Sequence, residues 1–165
     1  MATVTLKGNP FQTNGELPKT GDQAPTFKLK KTDLSTTNLN DYDGQNLILN
    51  IFPSIDTATC AASVREFNKR AANLNNTKVV CVSRDLPFAQ KRFCGAEGIE
   101  NVLTASDFAT GDFGKTYGIE LLDGPLANLH ARAIVVIDPS GKIKHTELVS
   151  EIADEPNYDA ALAAL

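Results

Sequence analysis

The apolar run from Leu47 to Phe52 stops at Pro53, and the residues beyond it change period. A short apolar run closed by proline reads as a buried strand. Val64, Phe67, Ala71 and Leu74 then recur at helical spacing, with Arg65, Glu66, Asn68, Lys69 and Arg70 elsewhere on the circumference. Between strand and helix, Asp56 and Thr57 are both good N-caps. With Thr57 as the cap, Cys60 falls in the first helical turn, where backbone N–H groups lack helical partners and the macrodipole is positive.

A thiolate suits that place. A free cysteine with a pKa of about 8.5 is only about 3% ionised at neutral pH, and the thiolate is the nucleophile. Helix-start amides, a threonine hydroxyl and a nearby cation all favour the charged form. The commoner fate of a lone cysteine is to pack as a small apolar residue. Strand, proline, hydroxyl cap and first-turn cysteine together favour chemistry.

The rest of the chain supplies more strands and helices in alternation. Residues 2 to 20 alternate weakly around Gly8-Asn9-Pro10 and predict a hairpin capping the bottom of a sheet. Thr26 to Lys30 and Thr37 to Leu39 are short strand candidates, and Asp41-Tyr-Asp-Gly44 is a turn. Lys78 to Ser83 reads as a second buried strand, with Cys81 a structural residue in its middle. Asp85-Leu-Pro87 opens a helix of about two turns with Asp85 as its acidic cap, Cys94 in its last turn and Gly95 at its end. Asn101 to Thr104 is a strand, and Asp112 to Tyr117 a short helix with Phe113 over Tyr117. Arg132 to Asp138 and Lys142 to Leu148 form a hairpin about Pro139-Ser140-Gly141, and Glu155-Pro156 starts a last helix. The class is α/β: a thioredoxin-like mixed sheet flanked by helices, with an N-terminal β-hairpin extension over residues 1–20.

At 165 residues the chain is one domain, 1–165, large enough for a core without staples. A net charge of −4 argues against nucleic acid or an anionic membrane as partner. No apolar run has membrane-spanning length, and Met-Ala-Thr-Val-Thr-Leu-Lys lacks signal-peptide character, so a cytoplasmic protein is expected. Cysteines at 60, 81 and 94 make no disulfide framework. Without C-x-x-C, and with His130 and His145 the two imidazoles, no zinc site is expected. An occasional disulfide in a reducing compartment is usually catalytic, which suits two functional cysteines and one structural one.

Pro53-x-x-x-Thr57-x-x-Cys60 is similar to the peroxiredoxin active-site motif. The wider string from Asn50 to Asn68, and Asp85-Leu-Pro-Phe-Ala-Gln-x-Arg-Phe-Cys94-Gly-Ala-Glu-Gly98, resemble the bacterial thiol peroxidases, the atypical 2-Cys branch of that family. The resemblance implies that Cys60 is the peroxidatic residue, attacking hydroperoxides and becoming a sulfenic acid. It implies that Thr57 bonds the thiolate or the substrate oxygens, that Pro53 shields the pocket, and that Arg132 is the cation. Arg65 is a weaker candidate for that charge, and His130 reads as an exposed loop histidine. By the same resemblance Cys94 resolves the sulfenic acid into a disulfide with Cys60, thioredoxin reduces it, and the protein is a homodimer. No haem, metal or flavin is implied. The Pro87 to Cys94 helix is expected to unwind during turnover. A thioredoxin-like thiol–disulfide oxidoreductase is the alternative, although it normally carries C-x-x-C where this chain has Thr57 and Cys60. A non-catalytic module of the same fold would need neither Thr57 nor Arg132.

Overall fold

A computed structural model describes all 165 residues. The strands are β1 (Thr3–Leu6), β2 (Asn9–Gln12), β3 (Lys28–Lys31), β4 (Thr36–Asn38), β5 (Asn46–Ile51), β6 (Thr77–Ser83), β7 (Leu103–Ser106), β8 (Ala133–Ile137) and β9 (Ile143–Leu148). The helices are α1 (Ala58–Ala71), α2 (Pro87–Glu97), α3 (Asp112–Thr116) and α4 (Tyr158–Ala163), with a 3-10 turn over Leu39–Tyr42. Strands β3 to β9 form one sheet in the order β4-β3-β7-β6-β5-β8-β9, and β1 pairs with β2 alone. The β5–β6 and β6–β7 pairs are parallel; the remaining pairs of the large sheet are antiparallel. The thioredoxin-like mixed sheet and the β8–β9 hairpin follow the sequence expectation.

The strand pleat divides the core. Leu47, Leu49 and Ile51 of β5 face one side with Val80, Val82 and Val135, where Phe27, Phe113, Tyr117 and Val4 cover them. Ile48, Cys81, Ile134 and Val136 face the other side, under Val64 and Phe67 of α1, Phe93 of α2 and Ala161 of α4. Helices α1 and α2 share that face because both link parallel strands stepping in the same direction, and such crossovers are right-handed. The expected Phe113–Tyr117 pair is stacked, with centroids 4.5 Å apart and planes at 19°.

Four expectations need correction. Helix α2 does not end at Gly95 but runs to Glu97, and Gly98 (φ 63°) is its left-handed cap. Ile99 decides this: its N–H returns to the Cys94 carbonyl at 2.9 Å and its side chain packs on the core, completing a helix-ending motif one turn later. Strand β7 begins at Leu103 rather than Asn101, because the Asn68 side chain binds the Asn101 N–H at 2.7 Å. The first hairpin turns at Lys7-Gly8, both at positive φ, which leaves Asn9 and Pro10 in β2. It also docks at the other end of the sheet from that expected. Thr5 bridges Glu151, just beyond the carboxyl end of β9, which is the edge from which α1 departs. No helix is long and apolar enough to cross a membrane.

Candidate active site

The loop after β5 is held before the helix begins. Phe52 continues the pairing through its N–H to the Val82 carbonyl (3.1 Å), and Pro53 is buried behind it. Thr57 is the N-cap residue (φ −97°, ψ 149°), so Cys60 lies in the first turn as expected. The Thr57 hydroxyl, however, donates to the Ser54 carbonyl at 3.0 Å instead of capping a helix amide. Its oxygen keeps its lone pairs as acceptors.

Cys60 is fully buried, and Arg132 Nη2 donates to its sulfur at 3.3 Å. Arg132, at the mouth of β8, is itself 1% exposed, so it does not snorkel to solvent. Its Nε donates to the Ile152 carbonyl at 2.9 Å, while Nη1 is buried without a partner. No carboxylate pairs with it. A guanidinium remains charged inside proteins, and a buried charge is costly unless paired. The adjacent Cys60 sulfur and the Ile152 carbonyl are the partners this guanidinium has. Thr59 Oγ1 ties the first turn to the Ala153 carbonyl at 2.9 Å.

The other two cysteines differ in setting, and all three thiols are free. Cys81 is fully buried in β6; burial pushes its thiol up to about 12, although the Asn50 amide donates to the sulfur at 3.6 Å. Cys94 is partly buried in the last part of α2, 3.8 Å from Thr104 Oγ1, and burial raises its thiol as well. Two exposed ion pairs tie α2 to the Cys60 segment: Arg92 with Asp56 at 2.7 Å, and Arg65 with Glu97. Arg65 is thus spent on Glu97 and makes no bond to Cys60.

The model for the family described as Redoxin matches residues 19–162. The chain belongs to the redoxin family. Over its full length it is 58% identical to the thiol peroxidase of Mycobacterium tuberculosis and 53% identical to that of Corynebacterium glutamicum, covering 99% of each. A peroxiredoxin-like protein from Aquifex aeolicus superposes with a TM-score of 0.93 at 40% identity, over 99% of this chain and 95% of that one. The thiol peroxidase from Chromobacterium violaceum, at 21% identity, shares the fold with a TM-score of 0.90 over 98% of this chain and 93% of that one. Full-length identity at this level makes the redoxin an enzyme of the thiol peroxidase type, as the motifs implied.

Two residues of this redoxin have partners that local sequence did not disclose. Asp85 does not cap α2: Leu86 occupies the N-cap position, and no side chain bonds the first amides. The Asp85 carboxylate instead accepts from Ser54 Oγ (2.7 Å), the Ile55 N–H (2.7 Å) and Ser83 Oγ (2.6 Å). One side chain at the head of the Cys94 helix therefore fixes the loop that precedes Cys60. His130 is not an exposed loop residue but is fully buried, with Nε2 2.9 Å from Asp107 Oδ2. Asp107 also receives the Phe113 and Gly114 amides, at 3.2 and 3.0 Å, so the pair anchors α3. A Cβ at Gly114 would meet the imidazole at 2.9 Å, which explains the glycine. A cleft of about 740 Å3 between β3 and α3, lined by Phe27, Leu29 and Phe113 among others, shares no residue with the Cys60 site. The chemistry, not the size of the cleft, marks the site.

Proposed function

We propose that this redoxin reduces hydroperoxides by a two-cysteine cycle that begins at Cys60. The thiolate sulfur attacks the terminal peroxide oxygen; the S–O bond forms as the O–O bond breaks. The sulfur is oxidised by two electrons to sulfenic acid, and the departing oxygen leaves as alcohol or water after taking a proton. The observation that carries the reading is Arg132: one guanidinium nitrogen lies on the sulfur, and the next is buried and unpaired. A preorganised donor beside the nucleophile serves charge developing on the departing oxygen. Thr57 accepts from the peroxide O–H, and buried Pro53 walls the pocket from water. Because Cys60 is covered, substrate enters as the exposed start of α1, at Thr57 and Ala58, opens transiently.

Cys94 then attacks the sulfenic sulfur, water leaves, and a Cys60–Cys94 disulfide forms. A thioredoxin dithiol reduces it, becoming a disulfide itself and restoring both thiols. Such a cycle belongs in the cytoplasm, where thioredoxin keeps thiols reduced. Exposed Leu86 and Phe88 at the start of α2, and Phe108 after β7, lie at the same sheet edge as Cys60 and support the homodimer expected of the family.

The test is peroxide-dependent NADPH oxidation with thioredoxin and thioredoxin reductase. Wild type should turn over with hydrogen peroxide and with an organic hydroperoxide, and Cys60→Ser should not. Cys94→Ser should consume one peroxide per chain and then stall. Sustained thioredoxin-linked turnover by Cys94→Ser would remove Cys94 from the cycle, and activity in Cys60→Ser would overturn the reading.

A further inference from the structure

The N-terminal hairpin reaches the candidate nucleophile through a single loop. Strand β1 docks on residues 150–152: the Thr5 N–H donates to the Ser150 carbonyl at 2.7 Å, and the Ile152 N–H donates to the Thr5 carbonyl at 2.8 Å. The Glu151 carboxylate closes this joint. Its Oε1 accepts from Thr5 Oγ1 and from the Gly8 N–H, both at 3.0 Å, and its Oε2 accepts from the Ala153 N–H at 2.9 Å. The other side of the loop holds the reactive groups. The Ile152 carbonyl receives Arg132 Nε at 2.9 Å, and the Ala153 carbonyl receives the hydroxyl of Thr59, the neighbour of Cys60, also at 2.9 Å. Two successive carbonyls thus hold the cation and the helix start, and the carboxylate beside them holds the loop.

We propose that Glu151 is a positioning residue for the peroxidase reaction: it clamps the hairpin to the Ser150–Ala153 loop and so sets the Ile152 carbonyl that aims the Arg132 guanidinium at Cys60. The inference rests on the reading of Cys60 and Arg132 given above. The guanidinium is planar, with its donors in a fixed fork. Holding Nε therefore sets where Nη2 meets the sulfur and where the unpartnered Nη1 points. Displacing a reacting group by about 1 Å can cost on the order of a hundredfold in rate. A carboxylate suits the clamp because every partner donates, whereas an amide would set its own N–H groups against one of them. The Ala153 and Gly8 amides hold this carboxyl down at about 2, so it is charged at neutral pH.

Glu151→Gln tests the role against mere stabilisation of the hairpin. Val4→Ala, which hollows the hairpin's buried contact and leaves the clamp intact, is the control. Single-turnover peroxide reduction, the pH profile of Cys60 alkylation and the melting temperature are measured for each. Glu151→Gln should slow peroxide reduction by on the order of tenfold or more and move the alkylation profile to higher pH. Val4→Ala should lower the melting temperature with rate and profile unchanged. An unchanged rate and profile in folded Glu151→Gln, or equal changes in both variants, would overturn the proposal. Arg132→Ala in the same assays separates the two levels. If it is as active as wild type, the reading of Arg132 fails; if it is impaired while Glu151→Gln is not, the role of Glu151 alone fails.

Discussion

Arg132 carries its charge where water does not reach, with a sulfur and a carbonyl for partners and one nitrogen left unpaired. Such an arrangement costs stability unless a negative group completes it, which favours the proposed role in a reaction over a purely structural one. In the proposed chemistry that group is first the thiolate and then the oxygen leaving it. Arg132→Ala and Thr57→Val should therefore each slow the peroxide step by roughly a hundredfold, about 3 kcal/mol of transition-state stabilisation. Stopped-flow kinetics on the folded variants checks this, and wild-type rates in both would contradict it. Arg132 also shows the limit of reading one residue at a time. Without the family resemblance, its place at a strand mouth favours a solvated arginine, and its burial decides against that reading. His130 is the converse case, since its partner Asp107 is brought to it by the β7–α3 connection.

At the scale of elements, the two cysteine-bearing helices are held unequally. Helix α1 buries Val64 and Phe67 completely, and each such side chain contributes about 1.5–3 kcal/mol. Helix α2 buries one large apolar side chain, Phe93; its buried Gln90 donates to Ser83 Oγ and the Ala105 carbonyl, and its charged ties are the exposed pairs Arg92–Asp56 and Arg65–Glu97. Exposed pairs contribute little, typically about 0.2–1 kcal/mol. In the proposed cycle, opening α2 is thus the cheaper way to bring Cys94 to Cys60. Amide hydrogen exchange should show lower protection across residues 86 to 97 in the disulfide form than in the reduced form, and equal protection would contradict the opening. The start of α1 was legible in the sequence because proline, cap residue and helical period are local signals. The end of α2 was not: Gly95 and Gly98 both offer a stop, and the packing of Ile99 chooses between them. Asp85 was misread for the same reason, because it satisfies the cap rule locally while Ser54 and Ile55 claim its carboxylate from another segment.

At the scale of the molecule, the sheet brings four distant segments to one edge: the Pro53 loop after β5, the head of α2 after β6, Arg132 before β8 and the loop after β9. Alternating strands and helices made that topology legible. The docking of the first hairpin onto the last loop was not, because the Thr5–Glu151 bridge joins the two ends of the chain. The same topology buries Cys81 in β6, where its thiol, pushed up to about 12, stays protonated at neutral pH. One measurement bears on all of this together. The reduced protein is treated with one equivalent of hydrogen peroxide, free thiols are blocked, and the peptides are mapped without reduction. The expected product is a Cys60–Cys94 disulfide with Cys81 recovered as the thiol; Cys60 recovered as the free thiol while peroxide is consumed would contradict the central claim.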